Sequence, residues 1–159
     1  MRFLLFITLP LYALDQLTKW LVVRNIDEGD GGYAVIAGFF NVIYATNTGV
    51  AFSAFTNKNA YFIVLSICVL AGLVFFYRRG AFRGGMLNFG FSLLVAGILG
   101  NLTDRILRHH VIDFLSFDLH VRFANPWPTF NVADSCICVA AAIFVFASFQ
   151  EETKSHRQR

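Results

Sequence analysis

Apolar residues gather into four long runs separated by shorter, mixed stretches. The runs cover about Phe3–Val23, Ala60–Tyr77, Met86–Leu107 and Phe130–Phe149. Each is close to the roughly 20 residues that a helix needs to cross the hydrocarbon core. The pattern predicts an all-α membrane bundle of four transmembrane helices, forming one integral domain over residues 1–159. After the first run, "YAVIAGFFNVIYATNTGVAFSAF" mixes aromatic and β-branched residues with Gly and Asn. That mixture favours short strands and is too apolar for a solvated loop. A small sheet on the membrane surface is expected over Tyr33–Phe55. Ahead of the fourth run, "SFDLHVRFANPWPTF" reads as interfacial. Pro128 stands there where a helix can start without losing a hydrogen bond.

Composition strengthens the membrane reading. The chain of 159 residues is 57% hydrophobic and 14% charged, whereas soluble domains carry nearer a quarter charged residues. Mean hydropathy is +0.59. A net charge of +3 and the lack of a basic block interleaved with aromatics argue against a nucleic-acid partner. Cys68, Cys136 and Cys138 lie in apolar runs without zinc-ligand spacing, so they read as core or lipid-facing residues. The first run resembles a secretory signal peptide in its basic start, but Asp15 and Lys19 interrupt it and no small-x-small site closes it. A retained span is expected.

Cations set the orientation. Arg2, Arg78, Arg79, Arg83, Lys154, Arg157 and Arg159 fall on one side, against Arg24, Lys58, Arg108 and Arg122 on the other. Both termini are therefore expected in the cytoplasm, with outer loops over about 24–59 and 108–129.

Ionisable groups within spans are expensive, from about 2.5 kcal/mol upward at a helix centre, and mark internal pairs or functional sites. Asp15 and Lys19 in "LDQLTK" are four apart, so a helix places them on one face. They read either as an internal ion pair or as a substrate contact. Asn101, Asp104 and Arg105 in "GNLTDR" also share a face, either as a network holding the helix end or, for Arg105, as a ligand for a carbonyl or a phosphate-like group. Asp113 in "VIDF" and Asp134 in "NVADS" flank the second outer segment at one depth. They read as separate helix-end carboxylates, Asp134 being at home at a helix N-terminus, or as a converging pair. Such a pair would share a proton and titrate as a unit. One carboxylate would activate water while the other polarises a scissile carbonyl and protonates the leaving amine, without a metal or other cofactor. The serines lack G-x-S-x-G context, the histidines form no HExxH, and there is no Gly-rich phosphate loop.

The motifs "LDQLTK", "NTGVAFS", "GNLTDR", "VIDF" and "FNVADS" stand in an order and spacing that resembles the lipoprotein signal peptidases, the type II signal peptidases of bacteria. The resemblance runs from Asp15 to about Ala142. It implies four transmembrane helices, a small extracytoplasmic β-sheet cradle and a mobile helical segment. It also implies an aspartic endopeptidase of the inner membrane, inhibited by globomycin. That enzyme removes the signal peptide of a diacylglyceryl-modified prolipoprotein, just before the lipidated cysteine. By motif, Asp113 and Asp134 match the catalytic dyad. Asn47, Gly49, Asn101, Arg105 and Asn131 match polar positions around it, and Asp15 and Lys19 the first-helix pair. Asp104 stands in the same motif as Arg105. Val50 stands where Ala is common, and His109 and His110 fill a turn where Gly is common. The implied partners are the lipidated precursor and membrane lipid, with the enzyme acting as a monomer. A competing reading is a small proton-coupled transporter or channel subunit, which would spread its ionisable groups through the bilayer depth. A third is a structural membrane subunit, whose polar groups serve assembly alone.

Overall fold

The computed structural model describes residues 4–49, 59–121 and 127–157. Val50, the 50–55 part of the expected sheet, Lys58 and Arg122 lie outside them. A π-helical turn, Leu4–Thr8, runs directly into helix α1, Leu9–Asn25. Strands β1, Tyr33–Ile36, and β2, Phe40–Asn47, follow. Helices α2, Asn59–Arg78, and α3, Gly85–Leu107, come next, then strand β3, Val111–Phe117, and helix α4, Val132–Arg157. The strands form one antiparallel sheet in the order β1-β2-β3.

Three of the described helices are long and apolar enough to cross a membrane: α2, α3 and Val132–Gln150 of α4. Their surroundings differ. The most apolar window of α2 has mean hydropathy 2.4 and is 0% buried, whereas 44% of the α3 window is buried. A 20-residue apolar helix with no buried residue has lipid as its only favourable solvent. α3 is the centre of the bundle, packed against α4, α2 and α1.

Small residues allow that packing. Gly90, Gly97 and Gly100 line one face of α3; Gly97 lies under the Ala133 carbonyl and Ile137, and Gly100 under Asp15 and the Ala133 methyl. Close backbone approach replaces the hydrophobic drive that is missing between helices in lipid. At the 78–85 end, Phe82 lies tilted against Phe91 and Phe144, at 4.8 Å and 5.7 Å between ring centroids. At the other end, Val22 of α1 and Ile26 just beyond it pack on Ile112 and Phe114 of β3. The sheet is thereby fixed to the helices.

Two expectations are corrected. The sequence pattern left "VIDFLSF" outside any strand; it is β3, with Val111–Phe114 all buried. A strand covered on both faces shows a run of apolar residues and no alternation. Helix α4 begins at Val132, beyond Pro128, because Asn131 caps it, and it runs on to Arg157. The turn before β3 has His109 at φ 67°. That is the left-handed region, where glycine is the unstrained residue.

Gly97→Ala is expected to destabilise the bundle by about 1–3 kcal/mol, since the added methyl would run into the Ala133 backbone carbonyl of α4 as well as Ile137 Cγ1 at 2.6 Å. Gly72→Ala, whose methyl would meet nothing within 4 Å, leaves thermal unfolding in detergent unchanged or slightly improved. Equal midpoints for the two variants would show that α3 and α4 are not in close contact.

Candidate active site

Asn131 precedes α4 and closes its first turn reciprocally. The Asp134 N–H donates to Asn131 Oδ1 at 2.9 Å, and the Asn131 N–H donates to Asp134 Oδ2 at 3.2 Å. This is a capping box with Asp at the third helical position. The box gives Asn131 and Asp134 a structural role at the start of an apolar helix and fixes the Asp134 carboxylate.

β3 delivers the other carboxylate. Its Leu115 pairs with Phe130, so the residue next to Asn131 is held against the strand by bonds of 2.8 Å and 3.2 Å. The β2–β3 register shifts between Val42 and Ala45, beside Asp113. A bulge of this kind re-aims side chains next to it. Asn131 Nδ2 donates to Asp113 Oδ1 at 2.7 Å, and Asn47 Nδ2 donates to Asp113 Oδ2 at 2.9 Å. Asn131 therefore touches both carboxylates, and the charge of Asp134 bears on Asp113. Asp113 is 2% exposed; Asp134 is partly exposed.

Beneath them lies an ionic cluster. Lys19 Nζ, fully buried, sits 2.9 Å from Asp15 Oδ2 and 2.8 Å from Asp104 Oδ2. It donates to Asn101 Oδ1 at 3.1 Å, while Asn101 Nδ2 donates to Asp134 Oδ1 at 2.7 Å. Of the two readings for Asp15 and Lys19, the internal ion pair describes the geometry, because neither reaches the surface. The neighbours Asp104 and Arg105 diverge: Asp104 pairs with Lys19 and Arg108, while Arg105 Nη2 donates to the Gly49 carbonyl at 2.8 Å. The Arg105 guanidinium lies 4.5 Å from the Phe62 ring centroid. Among the described residues its buried Nη1 has no partner. Gly49 in turn donates its N–H to Asn47 Oδ1 at 3.0 Å.

Asp15, Lys19, Asn47, Gly49, Asn101, Asp104, Arg105, Asp113, Asn131 and Asp134 thus join in one continuous network. Gln16, Arg108 and Asn59 escaped the sequence reading. Gln16 Nε2 reaches Asp15, the Gly100 carbonyl and Asp104. Arg108 pairs with Asp104 at 2.6 Å, and its i,i+4 spacing was the available signal. Asn59 holds the Arg105 carbonyl at 3.0 Å and carried no signal of its own. The three cysteines are free. Among the described residues, no group of His, Cys, Asp and Glu is arranged to hold a metal ion.

The family model for signal peptidase (SPase) II matches residues 7–150. The chain belongs to the signal peptidase II family. Among relatives in this family, the lipoprotein signal peptidase of Psychromonas ingrahamii is 38% identical over 86% of this chain and 79% of its own length. That of Bacillus pumilus is 36% identical over 86% of each chain. A bacterial membrane enzyme solved by the in meso method superposes with a TM-score of 0.86, at 28% identity over 95% of this chain and 90% of that one. A second such structure gives 0.80 at 30% identity, over 91% and 90% of the two chains. The apolar helices and the family together make this a bacterial membrane protein of a peptidase family.

Burial, and then the charge of Asp134, push the Asp113 carboxyl up from 3.8 to about 7, against the opposing pull of Asn47, Asn131 and Lys19. The folded protein then holds a proton that the unfolded chain releases between those values. The contribution of Asp113 to stability is greatest below 3.8, falls as pH rises through this window and levels off above about 7. Thermal unfolding of wild type and Asp113→Asn, compared across the window, is expected to show wild type losing ground as pH rises. A difference in midpoint that stays constant with pH would contradict this.

Proposed function

We propose that the protein is an aspartic endopeptidase of the bacterial cytoplasmic membrane. It removes the signal peptide from diacylglyceryl-modified prolipoproteins, cutting before the lipidated cysteine. Asp113 and Asp134 are the catalytic pair. The observation that carries this reading is Asn131, whose one side chain and backbone N–H hold both carboxylates at the sheet end of the bundle. The relatives' name, lipoprotein signal peptidase, supplies the substrate class.

In this reading Leu4–Asn25, helical throughout, is a fourth span with α2, α3 and α4. Both termini lie in the cytoplasm and the sheet lies on the outer face. One carboxylate takes a proton from water as the hydroxide attacks the scissile carbonyl, and the other supplies a proton to the carbonyl oxygen. No metal or other cofactor takes part. A lipidated peptide cannot leave the bilayer, so the carboxylates have to be at the membrane surface. The lipid chains lie along exposed apolar helix faces, while the sheet edge at Asn47 and Gly49 seats the peptide. Both aspartates come from one chain, which suits a monomer. The transporter reading fares worse because the ionisable network gathers at one end of the bundle.

Purified protein is expected to cleave a diacylglyceryl-modified precursor peptide at the bond before the lipidated cysteine, read by product mass, in the presence of EDTA. Asp113→Asn and Asp134→Asn each lose about 10²-fold or more of the turnover with undiminished yield of folded protein. Full activity in either variant would remove that residue from the dyad.

Arg105 acts by positioning in this scheme. It holds the Gly49 carbonyl, and through Gly49 the Asn47 that touches Asp113. Arg105→Lys keeps the charge but loses the planar fork. It is expected to lower kcat/KM about tenfold or more without altering the pH profile. Full retention of activity would mean that a point charge suffices.

A further inference from the structure

Lys19 is completely buried and touches no surface that a substrate could reach. Its ammonium nevertheless lies one side chain away from Asp134. An ammonium only donates hydrogen bonds, so Asn101 must turn its carbonyl oxygen towards it. The same oxygen also accepts from Asn131 Nδ2 at 3.2 Å. The Asn101 amide has no freedom left: its NH2 faces Asp134 Oδ1 at 2.7 Å. The second Asp134 oxygen accepts a backbone N–H at the start of α4, where the helix dipole favours negative charge. Asp113 is placed differently. It stands on a strand, and two neutral side-chain amides, Asn47 and Asn131, donate to it.

We propose that Lys19 is a positioning residue which, through Asn101, keeps the negative charge of the carboxylate pair on Asp134 and leaves the shared proton on Asp113. This rests on the dyad reading given above and assigns its two roles. Asp134 is the base: it takes a proton from water while the hydroxide oxygen bonds to the carbonyl carbon and Asp113 gives its proton to the carbonyl oxygen. When the C–N bond breaks, Asp134 returns its proton to the leaving amine and Asp113 regains its own from the diol. Atoms balance with no further reactant.

The charged and titratable groups around Asp134 come from every packed element: Asp15 and Lys19 on α1, Asp104 and Arg105 on α3, Asp113 on β3, and Cys136 on α4 itself. Among them Lys19 is the cation joined to Asp134 through a single amide.

The test is the pH dependence of kcat/KM for the lipidated precursor peptide with Lys19→Met. The acid limb is expected to move upward by on the order of one unit, with kcat falling and KM nearly unchanged. Because Lys19→Met leaves Asp15 and Asp104 buried without their cation, the double variant Lys19→Met, Asp15→Asn is measured beside it. It keeps the buried charge balanced and retains an acceptor for the Ala133 N–H. It is expected to move the limb in the same direction but less far, because the negative charge of Asp15 beside Asp134 is lost together with the positive charge of Lys19. A merely structural lysine would lower activity equally at all pH values; an unmoved acid limb in whichever variant folds would overturn the proposal. So would an effect confined to KM. If wild-type protein cleaves the peptide and the variants keep its profile, only the role of Lys19 falls. If wild type does not cleave at all, the dyad reading falls, and this inference with it.

Discussion

One buried ammonium holds this structure together. Lys19 lies between Asp15 of its own helix and Asp104 of α3, all three at 1% exposure or less. Removing one partner from such a cluster leaves an uncompensated buried charge, at a cost of about 3–5 kcal/mol. Its carboxylates reach further. Asp15 accepts the Ala133 N–H in the first turn of α4 at 2.9 Å, and Asp104 accepts the Ile112 N–H of β3 at 3.2 Å. A single ionic centre therefore sets α1, α3, α4 and β3 against one another at the end where the two other aspartates stand.

Apolar packing alone would not give that arrangement. Helices that meet in lipid gain little from hiding Leu or Phe, which lipid solvates equally well. α2 shows the consequence, since it buries none of its residues. Register between α3 and α4 comes instead from glycines that let backbones touch, and from polar groups that have only one another as partners. The sheet follows the same logic. β3 is tied on one side to β2 and on the other to Phe130, just before α4. Its carboxylate is thus fixed relative to a helix as well as to a strand.

The arrangement explains how a greasy chain can keep two carboxylates near each other. Asp134 is stabilised by a helix start and an amide, Asp113 by two amides. Each of the two carboxylates has a protein donor on both of its oxygens. Arg105 closes the far side by gripping Gly49 across 56 residues of sequence. The polar network is concentrated where the bundle meets the sheet, and the apolar helix faces remain available to lipid.

Much of this was legible in the residues themselves. Runs of apolar residues announce helices in lipid because their backbones must be satisfied internally. Asp15 with Lys19, and Asn101 with Asp104, announce shared faces because helical spacing fixes them. Charged residues that no span would tolerate singly announce a site, and five motifs in order announced the family. Other features depended on the folded chain. "VIDFLSF" carries no alternation because both its faces are covered, so only the neighbours of β3 reveal it as a strand. Whether Lys19 met substrate or stayed inside was undecidable from spacing, since Asp104 lies 85 residues away. The choice between two separate carboxylates and an interacting pair was likewise open. It turned on Asn131, a cap by local sequence, reaching Asp113 eighteen residues back. Sequence determines which groups cannot remain unpaired in an apolar medium; tertiary structure decides which partner each one finds, because hydrogen bonds are read in ångströms and not in residues.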